Sequence, residues 1–153
     1  MKILFKLIVF FFLFTNISNA DLIKPNSNLK PFDVLSIQLN SLRDNNNPYK
    51  DAGIEQTWEF AHPINKTFTG PLERFKQMIY STNYKILISH ENIKTIILKE
   101  TSNKFTYKVY VLSKDKKKYY YIWQIEKVVS EGSFKDCWMT TRVSDPIYLG
   151  ETI

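Results

Sequence analysis

One cysteine in 153 residues excludes an internal disulfide, so packing has to hold this chain together. Cys137, between Asp136 and Trp138 at the start of an apolar run, has no base beside it and reads as a small buried thiol, not a reactive one. Only two histidines are present, His62 and His90, widely spaced and without a cysteine pair, which leaves no metal constellation. Glycine is equally scarce, at four residues. There is no Gly-rich phosphate loop, no G-x-S-x-G elbow and no dinucleotide fingerprint, and no cofactor is expected. A strong excess of charge is also lacking: the formal balance is +6 and falls by two if Lys2 and Lys6 are removed, too little to argue for a nucleic-acid partner. What is present is apolar and aromatic, 44% and 15% of residues, the composition of a globular chain and not of a disordered one.

Long apolar runs are missing except at the N-terminus. Met1, Lys2 and Lys6 make a basic start, Leu7 to Phe14 is unbroken, and Ser18-Asn19-Ala20 supplies the small-x-small cleavage pattern. The run falls short of the roughly 20 residues that span a bilayer. Residues 1–20 are therefore expected to be a signal peptide, with an uncleaved anchor as the alternative. Asp21 becomes the first mature residue, and no membrane span remains. The protein is then exported, to a periplasm, the exterior or an equivalent lumen. The rest suffices for one domain and not for two.

Residues 21–30, polar with Pro25, read as an exposed leader, and residues 31–146 as the domain. Val34, Leu35, Ile37, Leu39 and Leu42 suit one face of a helix that starts at Pro31 or Asp33. Asn45-Asn46-Asn47-Pro48 ends it in a loop. A second helix spans Gly53 to Ala61 and closes at His62-Pro63. A third begins at Pro71 and carries Leu72, Phe75, Met78 and Ile79 inward. The period then changes. Strands are expected at Tyr84–Ser89, Ile93–Lys99, Phe105–Leu112, Lys118–Val128 and Cys137–Val143, the third and fourth with clear two-residue alternation. Lys114, Lys116, Lys117 and Lys118 fall at a turn between two of them, a solvated hairpin tip or a contact for an anionic surface. Residues 147–153 read as a tail. Helices followed by consecutive strands imply an α+β domain, with N-terminal helices packed on one face of an antiparallel sheet of four or five strands.

Four segments together resemble a domain family found in bacteria and in plastid-bearing eukaryotes: D-V-L-S-I-Q-L from Asp33, G-I-x-x-T-W-E-F-A-H-P-I-N-K from Gly53, T-G-P-L-E-R-F-K-Q-M-I from Thr69 and C-W-M-T from Cys137. That family has no assigned reaction. It is similar in pattern to the nuclear-transport-factor-2-like superfamily, which implies a cone: a strongly curved antiparallel sheet wrapped around helices. The superfamily includes isomerases, dehydratases, cyclases and plain binding or dimerisation modules, so the fold leaves function open. The acid and tyrosine set of its isomerase branch cannot be placed on this sequence.

The candidate pocket and motif residues are Trp58, Glu59, His62, Asn65, Arg74, Phe75, Tyr121, Trp123 and Trp138. Trp58 and Phe60 are large enough to plug a curved sheet. Asn65 is expected to tie its loop through its own backbone. Arg74 would bond loop carbonyls, pair with Glu59 or Glu73, or bind a ligand. His62 reads as a helix-end hydrogen-bonding residue, with an acid–base role as the alternative. No catalytic residue is assigned. Two functions follow. One is a non-enzymatic module that encloses a small apolar ligand or offers its open sheet face to a partner, a second copy above all. The alternative is a cavity enzyme of isomerase, dehydratase or hydrolase type that uses a buried carboxylate, for which Glu59, Glu126 and Asp136 are available.

Overall fold

Pro31, at a helical position where a missing amide hydrogen loses nothing, opens α1 (Pro31–Arg43) in the computed structural model, which describes residues 21–151. The expected signal peptide lies outside the described residues. The Lys30 amide donates to Asp33 Oδ2 at 2.8 Å and closes the first turn. Val34, Leu35, Gln38, Leu39 and Leu42 are buried at three- and four-residue spacing, whereas Ile37, expected on that face, is only partly covered. α2 (Ala52–Glu59) packs tightly on α1. The Gly53 amide donates to the Asn45 carbonyl at 2.9 Å, and a Cβ at Gly53 would stand 1.9 Å from the Ser41 carbonyl oxygen.

The loop expected after His62 contains a helix, α3 (Pro63–Thr69), none of whose residues is buried. It therefore shows no apolar stripe to read. α4 (Leu72–Ile79) turns Phe75 and Ile79 into the core. The strand expected at 84–89 is instead a 3-10 turn, Lys85–Leu87, with Leu87 buried. A short apolar run such as Ile86-Leu87-Ile88 fits a buried turn as well as a strand, and here it has no cross-strand partner.

Five antiparallel strands complete an α+β architecture: β1 (Asn92–Glu100), β2 (Lys104–Leu112), β3 (Lys117–Lys127), β4 (Trp138–Val143) and β5 (Ile147–Glu151). The spatial order is β1-β2-β3. Along the other edge of β3, β4 pairs with Trp123–Lys127 and β5 with residues 117–120. The expected tail thus contains a strand, and its Tyr148 ring lies 5.4 Å from Tyr119. Register shifts at Ile97/Lys99, Lys118/Tyr119 and Gln124/Ile125 bend the sheet. The alternation legible in β2 and β3 is the observed one: Tyr107 opposes Trp123 and Val109 opposes Tyr121 on the buried face. A smaller cluster of Val128, Cys137 and Met139, with Phe134 against it, packs at the β3–β4 end. Burial and then Asp136 push the Cys137 thiol above its ordinary pKa, which keeps it protonated and unreactive.

Candidate functional site

Thr140 is where the helices are tied to the sheet. Its amide donates to the Phe60 carbonyl and its carbonyl accepts from the His62 amide, both at 2.8 Å, so residues 60–62 cover the outer edge of β4. Its hydroxyl donates to Gln38 Oε1 at 2.6 Å and accepts from Trp123 Nε1 at 3.0 Å. The Gln38 amide in turn donates to the Thr57 carbonyl at 3.0 Å, and the Thr57 hydroxyl donates to the Gly53 carbonyl at 2.8 Å. A buried polar relay, Trp123 to Thr140 to Gln38 to Thr57, therefore joins β3, β4, α1 and α2 with its heteroatoms partnered.

Beside this relay lies a cavity of about 130 Å³. Leu42, Phe75, Ile79, Leu87, Trp123 and Val143 form its apolar wall, and Gln38, Thr57 and Thr140 its polar floor. The more exposed lining residues, Asn65, Thr69, Tyr84, Thr141 and Arg142, mark the side that faces solvent. Among the described residues, none that lines it is Asp, Glu, His, Cys or Lys. Burial raises the Tyr84 pKa, with a further push from Asp145 against an opposing pull from Arg142, so its hydroxyl stays protonated at neutral pH.

Three of the residues singled out from sequence meet here: Asn65, Phe75 and Trp123. Asn65 does not close its own loop; its Nδ2 donates to the Thr140 carbonyl at 3.3 Å. Tyr121 is buried on the same face of β3 and donates to the Asn83 carbonyl at 2.7 Å, and burial raises its pKa. Trp58 does not plug the sheet. It is half-buried, 5.0 Å from the Phe75 ring, with the Lys66 ammonium 5.1 Å from its own; Phe60 is the fully buried aromatic of that motif. Burial lowers the Lys66 pKa. His62 caps α3, its Nδ1 accepting from the Ile64 amide at 3.2 Å, and burial lowers its pKa against a smaller upward pull from Glu126.

The other candidates lie elsewhere. Glu59 pairs with Lys24 at 3.0 Å. Arg74 is exposed and makes no ion pair with Glu59 or Glu73; Lys76 pairs instead with Glu55 at 2.9 Å and Glu73 at 3.7 Å. Trp138 stands edge-on to Phe105 at 5.3 Å. No Asp or Glu is buried among the described residues; Glu126 pairs with Lys104 at 2.8 Å and Asp136 is exposed. Sequence reasoning missed Gln38, Thr57, Thr140 and Arg142. A signal existed for Gln38, a polar side chain four residues from both Val34 and Leu42 on the apolar stripe of α1.

Comparison of the chain with protein-family models, with curated proteins and with solved structures gives no match. Among the described residues no group of three or more His, Cys, Asp or Glu could hold a metal ion, and no helix is long and apolar enough to cross a membrane.

Proposed function

We propose that this chain is an exported, non-enzymatic binding module with a nuclear-transport-factor-2-like cone, and that its cavity takes a small, largely apolar molecule. The observation that carries the reading is the cavity of about 130 Å³, walled by Leu42, Phe75 and Trp123 beside a polar floor whose heteroatoms are already partnered. An apolar cavity of about 150 Å³ stays dry and accepts benzene, whereas drug-sized ligands need about 300 Å³ or more. The occupant is therefore about the size of one aromatic ring. The cavity-enzyme alternative draws no support from the described lining residues, among which there is no carboxylate or imidazole to move a proton.

Methyl and indole NMR of the mature protein titrated with benzyl alcohol tests this. Signals of Leu42, Ile79, Leu87, Val143 and the Trp123 indole should shift together and saturate, and Ala61→Leu, which places a larger side chain in the lining, should abolish the response while the fold persists. Shifts confined to surface residues would remove the cavity from the account.

A dimer through the outer sheet face is the companion proposal. Tyr110 and Tyr120 sit 6.2 Å apart on that face with the Lys108 ammonium over both rings. Ile96 and Ile147, whose register puts them on the same face, are 39% and 48% exposed. Sedimentation of the protein and of Tyr120→Glu would show a dimer lost in the variant; a wild-type monomer at all concentrations would refute it.

A further inference from the structure

We infer that Gln38 selects the ligand of this cavity: the occupant is a one-ring aryl alcohol whose hydroxyl bonds the Gln38 carboxamide while its ring lies against Leu42, Phe75 and Trp123. The inference deepens the binding-module reading and rests on it. Gln38 is 1% exposed. Its carboxamide is fixed at the cavity wall by two other lining residues, with Nε2 donating to the Thr57 carbonyl at 3.0 Å and Oε1 accepting from the Thr140 hydroxyl at 2.6 Å.

A carboxamide carries two N–H donors and an oxygen that accepts twice. Gln38 uses one of each, so one N–H and one oxygen lone pair have no partner among the described residues. The other donors of the polar floor are fully committed. Trp123 gives its single N–H to the Thr140 hydroxyl, Thr140 gives its single O–H to Gln38, and the Thr57 hydroxyl donates to the Gly53 carbonyl. The Gln38 side chain is shut off from bulk water, and the open space it lines is the cavity. A buried amide hydrogen without an acceptor is costly, so a molecule that brings one into the cavity gains by it. A hydroxyl is donor and acceptor at once and can serve either open position of Gln38, whereas a hydrocarbon ring serves neither.

NMR titration of residues 21–153 with phenol and with toluene, ligands of one shape that exchange a hydroxyl for a methyl group, tests the inference. In a cavity without an open polar position toluene wins by about tenfold or more, because phenol has to shed the water on its hydroxyl. Here phenol should bind at least as tightly as toluene, and cross-peaks should join its ring protons to the Gln38 carboxamide protons. Gln38→Met should restore a preference for toluene of about tenfold or more; if that variant does not fold, the wild-type ratio and the cross-peaks decide. Toluene tighter than phenol by about tenfold in wild type, or phenol bound without contact to the Gln38 carboxamide, would overturn the hydroxyl assignment and leave the cavity reading intact. No binding of either probe to wild type would overturn both.

Discussion

At Gly53 a single methyl group would collide with the Ser41 carbonyl oxygen, and because the obstacle is backbone neither helix can yield without separating. Gly53→Ala should destabilise the protein by about 3 kcal/mol, read as a lowered urea midpoint; a change under about 0.5 kcal/mol would mean that α1 and α2 are not this close. Thr140→Val conserves shape but strands the Trp123 N–H and the Gln38 carbonyl oxygen, two buried groups worth about 1–3 kcal/mol each. A loss of about 2–4 kcal/mol is expected, with little change in the slope of unfolding against urea. Neither role is visible in a one-dimensional sequence, because the partners of Thr140 lie 17 and 102 residues away. The candidate site was legible where bulk revealed it, at Phe75 and Trp123, and hidden where it depends on long-range hydrogen bonds.

Among the elements, those with a long buried stripe or a strict alternation were readable. α1 has its apolar positions at helical spacing, and β2 and β3 alternate over most of their length. α3 buries nothing, β5 has Ile147, Tyr148 and Leu149 all near half exposure, and the turn at residues 85–87 is one apolar run. Such segments are set by their neighbours. β5 exists because the half of β3 left uncovered by β4 offers it backbone partners, a relation that periodicity does not encode. Deleting residues 147–153 should accordingly speed hydrogen exchange at the β5-facing amides of residues 117–120 and leave the β4-paired segment Trp123–Lys127 protected. Equal protection in the two proteins would contradict this pairing.

Across the whole molecule, the two histidines give stability a defined pH dependence. His90 is buried, its Nδ1 donates to the Leu87 carbonyl at 2.8 Å, and its Nε2 has no hydrogen-bond partner among the described residues. His62 uses Nδ1 as an acceptor for the α3 cap. In both, burial is the largest cause and lowers the folded pKa below the ordinary value of 6.5. The unfolded chain therefore binds more protons as pH falls, so their stabilisation is fully present well above 6.5 and is lost progressively below it. The urea midpoint should fall between pH 7.5 and 5.5, with a shallower fall in His90→Asn; a flat profile in wild type would mean that neither ring is held neutral by burial.

The ligand-binding proposal depends on the space between the helices and the sheet being hollow. A crystal structure of residues 21–153 under xenon pressure reads that space directly, since xenon enters a dry apolar cavity of about this size. The account predicts a xenon atom among Leu42, Phe75 and Trp123 with the Thr140 relay undisturbed. Side chains collapsed into that volume, or ordered waters filling it, would contradict it.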